Sequence, residues 1–136
     1  MRFIPQLLVL VLTAIAGGCT QGVRLPCDSG QDGWLLESLY FGTAGPNGPV
    51  TPDQWQAFVD EVVTPRFPDG FSVLTGSGQW KTAAGTLIKE QSYLISLVHP
   101  DSQAARVQIL DIIQTYKTRF GQESVLRIQA PVCASF

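Results

Sequence analysis

The stretch FSVLTGSGQWKTAAGTLIKEQSYLISLVHP, residues 71–100, decides the fold. It reads as two strands and a turn. Phe71 to Lys81 is one strand, weakened by Gly76 and Gly78; glycines inside a strand mark a bulge or an edge. Ala83-Ala84-Gly85 closes a hairpin. Thr86 to His99 returns, with an apolar centre at Tyr93 to Val98, and Pro100 stops it. A helix flanks the hairpin on each side. Upstream, Thr51 is an N-cap, Pro52 takes the first helical position and Gln54 completes a capping box. Trp55, Phe58, Val59, Val62 and Val63 then form one apolar stripe, and Pro65 ends it. Downstream, Asp101 or Ser102 caps a helix whose stripe is Ala105, Ile109, Ile112, Ile113, Tyr116 and Phe120, with Gly121 as its C-terminal cap.

The outermost elements are strands, Trp34 to Phe41 (WLLESLYF) and Val125 to Ala130. Between the first strand and the first helix, GTAGPNGP (42–49) is a loop with two turn signals. The order is β-α-β-β-α-β, the split βαβ pattern of ferredoxin-like α+β folds. It predicts an antiparallel four-stranded sheet in the order 4, 1, 3, 2, with both helices on one face.

The 136 residues suit one domain, and a 45% apolar share with 15% charge argues against disorder. Net charge is −2, with scattered Lys and Arg. That is no electrostatic footprint for nucleic acid, and no polybasic run suits anionic lipid heads. The first residues read as an export signal. Arg2 is a short positive region, Ile4 to Ile15 is apolar but too short to span a bilayer, and Ala16-Gly17-Gly18 leads to Cys19. This resembles a bacterial lipoprotein signal, in which the cysteine is lipidated and becomes the new N-terminus. The expected organisation is signal 1–19, tether 20–33 and domain 34–136. Thr20 after Cys19 favours the outer membrane by resemblance to lipoprotein sorting. The membrane is then a partner through the lipid on Cys19, and the domain lies in the periplasm. Ala14-Ile15-Ala16 offers a rival cut that leaves a soluble secreted chain with a free Cys19.

Export also permits a disulfide. In the strand order above, strands 1 and 4 are antiparallel neighbours. Cys27, just before strand 1, and Cys133, just after strand 4, therefore approach the same end of the sheet and are expected to pair.

Four segments, LYFGTAGPNG (39–48), WQAFVDEVVTPRFPDGFSVLTGSGQW (55–80), YKTRFGQESVLRI (116–128) and VCASF (132–136), resemble the small bacterial secreted proteins of domain-of-unknown-function family 3574. The likeness covers about residues 27–136. It implies domain limits and no activity.

No catalytic constellation stands out. His99, the one histidine, has no second ligand at metal spacing. His99-Pro100-Asp101 matches the tripeptide of J-domain cochaperones, but joins a strand to a helix instead of two helices. Gly76-Ser77-Gly78 lies in a hairpin arm, where phosphate loops do not. Ser92 or Ser96 with His99 and Glu90 fails as a triad, because Ser92 and Ser96 alternate to the face opposite His99. Glu37 and Glu90 read as a solvated or ion-paired face. Arg66, Arg119, Glu123 and Arg127 read as ion-pair and helix-end partners. Trp80 falls outside the core stripes and either covers the sheet or meets a ligand.

Two function classes remain. One is an envelope-anchored binding or interaction domain. The other is a small cofactor-free enzyme of the dimeric ferredoxin-like type, with the open sheet face as a pocket and Tyr93, His99 and Trp80 as the groups to test. No cofactor or metal is implied by any motif. In strand 3, Tyr93, Ile95, Leu97 and His99 point one way and Leu94, Ser96 and Val98 the other. In strand 1, Leu36 and Tyr40 oppose Leu35, Leu39 and Phe41. Both faces are thus apolar and helices cover only one. A second copy of the chain is expected on the other; a ligand or another envelope protein would cover it equally well.

Overall fold

The computed structural model describes residues 26–136. The expected export signal with Cys19, and the first part of the expected tether, lie outside the described residues. The elements are β1 (Asp32–Gly42), α1 (Pro52–Phe58) continuing as a π-helical turn (Val59–Val63), β2 (Ser72–Lys81), β3 (Leu87–His99), α2 (Gln103–Phe120) and β4 (Leu126–Ala134). The sheet is antiparallel in the order β2-β3-β1-β4, the predicted arrangement read from the other edge.

Local chemistry sets the helix boundaries. Thr51 and Gln54 form the reciprocal capping box, and Pro52 opens α1. The helix then widens: the Thr64 N–H bonds Val59 O, five residues back. Such a π turn inserts one residue into the ladder, here over Val59–Val63. Ser102 caps α2, and Gly121 closes it at φ 64°, a left-handed conformation that favours glycine.

The core lies between the sheet and the two helices. Trp55, Phe58, Val59, Val62 and Val63 pack from the first helix, and Ala105, Ile109, Ile112 and Tyr116 from α2. They meet Leu39 and Phe41 of β1 and Tyr93, Ile95 and Leu97 of β3. Aromatic rings form its centre: Trp55 stacks on Tyr93 at 4.2 Å and 3°, and Phe41 meets Tyr116 edge-on at 4.7 Å.

Two boundaries differ from the sequence reading. β1 begins at Asp32, two residues into the tether, because Asp32 and Gly33 pair with Ala134 and Cys133. β4 runs past Pro131 to Ala134. It is an edge strand, and an edge position accommodates a proline that a central strand would not. The disulfide Cys27–Cys133 is present, with Cα atoms 5.5 Å apart. Of the two readings offered for Gly76 and Gly78, the edge is correct. β2 is an edge strand, and its register runs without a skipped residue from Ser72 opposite Ser96 to Lys81 opposite Leu87.

Candidate functional site

Strand alternation sends two sets of side chains to opposite faces. On the helix side, Glu37 sits in β1 between Leu97 and Gln129, and His99 is opposite Leu35. Glu37 is fully buried and His99 nearly so. Arg127 Nε donates to Glu37 Oε2 at 2.9 Å, and its NH2 to Oε1 at 2.5 Å. Gln129 Nε2 donates to Oε1 at 2.7 Å, and His99 Nε2 lies 3.4 Å from the same oxygen. His99 Nδ1 faces the Pro100 carbonyl at 2.7 Å. Burial alone would raise the Glu37 carboxyl. The hydrogen bonds from Arg127 and Gln129, the Arg127 charge and the His99 contact outweigh it and hold the group below the usual carboxylate range. The carboxylate in turn holds Arg127 more firmly charged through its hydrogen bonds.

The open face is different. It carries Leu36 and Tyr40 of β1, Leu94 and Val98 of β3, Leu74 and Trp80 of β2, and Leu126 and Ile128 of β4, as the register requires. Tyr40, Leu74, Trp80, Leu126 and Ile128 are exposed. At one end of this face lies a cleft of about 470 Å³, under the loop that follows β1. Its walls include Tyr40, Trp80, Ile88 and Leu126, and its polar groups Glu90, Ser92 and Gln122.

The loop over the cleft is tied at several points. Thr43 donates through both N–H and Oγ1 to Gln91 O, and Val50 N–H to Thr43 O. Gln122 Nε2 donates to Ala44 O, linking the loop to the end of α2. Glu90 reaches across β1: its Oε2 accepts from the Ala44 N–H at 2.5 Å. The carboxylate then lies where a Cβ of residue 42 would stand, so a larger residue there would push the Glu90 side chain out of this position. Beneath, the Tyr116 hydroxyl donates to Gly42 O at 2.9 Å. Burial, then the charge of Glu90, raise the Tyr116 phenol well above its ordinary value, so it remains a donor.

A second, wider cleft of about 780 Å³ lies at the other end of the sheet and includes Trp34, Phe71, Ser96, His99 and Phe136 in its lining. Trp34 Nε1 is buried there without a hydrogen-bond partner, its ring edge-on to Phe136 at 5.2 Å.

The three residues proposed as a pocket do not come together. Trp80 lines the open-face cleft, whereas Tyr93 is stacked under α1 and His99 is bonded to Glu37 on the helix side. The reason is parity: Tyr93 and His99 are in phase with Ile95 and Leu97, which face the helices, and Trp80 is opposite Ile88 on the other face. The cleft that Trp80 lines therefore does not include His99, which lines the second cleft at the other end of the sheet. Glu37 and Glu90 likewise occupy opposite faces. The basic residues do form ion pairs: Arg66 with Asp111, Arg119 with Glu61 at 2.9 Å and Arg127 with Glu37. Among the described residues no group of three or more His, Cys, Asp or Glu side chains could hold a metal ion, and no helix is long and apolar enough to cross a membrane. Sequence reasoning allowed an ion pair for Glu37 and read Arg127 as an ion-pair partner without joining the two, and it missed the shares of Gln129 and His99 in the network and the role of Glu90. The one signal for the latter was glycine-rich loop 42–48, whose Gly42 leaves the space that a carboxylate 48 residues away occupies.

These features define a ferredoxin-like α+β domain with one helix-covered face, one open face and a cleft at the open end. The chain belongs to the family of proteins of unknown function DUF3574, whose profile matches residues 37–136. It is similar in fold to a phage SAM lyase in complex with S-methyl-5′-thioadenosine, with a TM-score of 0.58 and 14% identity over 85% of this chain and 97% of that one. The apo state of a phage SAM lyase gives a TM-score of 0.56, again at 14% identity, over 86% and 97%. At that identity the likeness concerns the fold alone. No curated protein matches the chain.

Proposed function

We propose that this chain is a binding domain of the bacterial envelope, held to the membrane by a lipid on Cys19 and using the open sheet face as its contact surface. The observation that carries this reading is the contrast between the two faces. The acid, imidazole and guanidinium groups of Glu37, His99 and Arg127 on the helix side are engaged with one another. The open face keeps large apolar side chains in water, Trp80 at 46% and Leu74 at 51% exposure, and soluble chains rarely leave such a patch uncovered. Native mass spectrometry of the full chain extracted from envelope tests both halves. The expected result is a diacyl mass on Cys19 together with a retained ligand or second copy that Trp80→Ala releases. A bare monomer beginning at Gly17, with no added mass, overturns it.

A second reading is a small enzyme working in the open-face cleft. It is favoured by Glu90 and Ser92, which lie there beside Trp80, and by a fold shared with a protein named SAM lyase that holds a thioether nucleoside. Incubation with SAM, followed for its loss, separates the two readings: turnover abolished by Glu90→Gln supports the enzyme.

A further inference from the structure

We infer that the cleft under the 42–46 loop takes a small planar ring compound, neutral or cationic, that carries an N–H or O–H donor. This rests on the reading of the open face as a contact surface, and it names the ligand class for one end of it.

The argument begins with glycine. Gly78 lies within β2 opposite Glu90, and it lines the cleft. Glycine weakens a strand, so its presence needs a cause. A positive φ is not the cause, because the positive-φ glycines among the described residues are at 30, 48, 70, 85 and 121. A bulge is not the cause either, since the β2–β3 register is unbroken. Nor is internal crowding. A Cβ at Gly78 would meet only Ser92, at 3.6 and 3.8 Å, which is ordinary contact. Gly76, two residues back on the same face, is similarly free, with Ser92 Oγ at 3.7 Å. The edge position of β2 tolerates a glycine without calling for one; at Gly78, which lines the cleft and has nothing nearer its Cβ position than Ser92 at 3.6 Å, the missing side chain leaves room for a group from outside the chain to approach closely.

What approaches is constrained by the lining. Tyr40 and Trp80 stand 37% and 46% exposed in the lining, which puts two aromatic rings beside any planar ligand. The only charged lining residues are Glu90 and Glu123, with no Lys, Arg or His among them. The cleft therefore repels phosphates and carboxylates and attracts cations and donors. Glu90 is held in place by the Ala44 N–H and retains acceptor capacity, since an ionised carboxylate offers about four lone-pair sites. A volume of about 470 Å³ is that of a small-molecule site.

The test is isothermal titration of the full-length chain with three probes: S-methyl-5′-thioadenosine, tryptamine and adenosine 5′-monophosphate. At least one of the first two should bind below millimolar, and the monophosphate at least tenfold more weakly than S-methyl-5′-thioadenosine. Trp80→Ala and Glu90→Gln, at exposed and half-buried positions, should each cost tenfold or more in affinity. Gly78→Val should abolish binding while Tm holds or rises, an outcome that a merely structural glycine would not give. Failure of both S-methyl-5′-thioadenosine and tryptamine, equal binding of the monophosphate, or full affinity in the Gly78→Val and Trp80→Ala variants overturns the inference. If the probes fail while native mass spectrometry still finds the face occupied, the binding reading stands and this ligand class falls.

Discussion

The Arg127 guanidinium holds both oxygens of the Glu37 carboxylate from the neighbouring strand, which ties edge strand β4 to the centre of the sheet. The pair is unequal: Glu37 is fully buried, whereas a quarter of the Arg127 side chain is exposed. Removing the guanidinium leaves a buried carboxylate in need of a proton. Arg127→Ala is therefore expected to cost about 3–5 kcal/mol, the usual penalty for orphaning one half of a buried pair. Urea unfolding at neutral pH measures it.

The same network makes a pH prediction. The carboxyl of Glu37 lies below its ordinary value of 4.5 in the folded protein. A depressed acid contributes stability above its unfolded pKa and loses it as pH falls through the folded value. Stability should thus decline from about pH 4.5 downward. In Glu37→Gln that part of the decline should vanish, although the variant starts lower because Arg127 has lost its partner. An unchanged acid slope in Glu37→Gln would assign the decline to other carboxylates.

The disulfide is the next element to test. Cys27 and Cys133 are 106 residues apart in sequence, so their bond closes nearly the whole domain. A loop of that size restricts the unfolded chain by about 4–5 kcal/mol on a chain-entropy account, an upper figure. The double variant Cys27→Ala/Cys133→Ala should lose stability toward that amount, and adding reductant to it should change nothing further. Denaturation of both proteins with and without dithiothreitol checks this.

How much of this was legible beforehand depended on the range of the interaction. The capping box at Thr51 and Gln54, the α2 stripe and the hairpin around Gly85 are local patterns, and the structure has each where the sequence placed it. The disulfide followed from strand order, which the β-α-β-β-α-β pattern supplied. Parity along β3 correctly separated Tyr93 and His99 from Leu94 and Val98. Yet the pocket expectation then grouped Trp80 with residues of the other face, because the phase of β2 depends on its register with β3. Glu37 with Arg127, and Glu90 with Ala44, join positions 90 and 46 residues apart. No spacing in one sequence encodes such pairs. The π turn at Val59–Val63 left no signal either, since its apolar stripe is the one an unbroken α-helix would show.

Tyr93 offers a check on which face is which. Its ring is stacked on Trp55 within the core and only 9% exposed. Tyr93→Ala should cost about 3–5 kcal/mol through loss of aromatic packing. Tyr93→Phe, which keeps the ring, should cost far less. Tyr93→Phe should not alter binding of a probe in the open-face cleft by more than about twofold, because the Tyr93 side chain lies on the face opposite the cleft-lining Ser92 beside it and the change keeps its ring. A large loss of affinity in Tyr93→Phe would mean that the helix side, not the open face, holds the site.

The last prediction concerns what covers the rest of the open face. Leu36, Leu74, Leu94, Val98 and Ile128 form an apolar field across all four strands, and Leu74 and Ile128 are about half exposed. Strands about 4.8 Å apart and about nine residues long present roughly 570 Å² of sheet face. Two such faces stacked together bury roughly 1,100 Å², just above the size a specific interface needs. A second copy supplies a surface of the same apolar character, so a two-fold dimer is the expected occupant. The field carries no charged side chain in its middle; the acidic Glu90 lies at the cleft end. Two copies can therefore stack there without opposing like charges. Sedimentation of the full chain in a non-denaturing detergent should show a dimer at micromolar concentration. Ile128→Lys and Leu74→Glu should each convert it to monomer. Their effect on intrinsic stability should be small, because both side chains project outward from the chain that carries them. Mixing the two variants provides the decisive control, since opposite charges on apposed faces should restore association at low salt and release it at high salt. A monomeric wild type that retains a bound small molecule would assign the face to ligand alone; a monomer with nothing bound would remove both occupants.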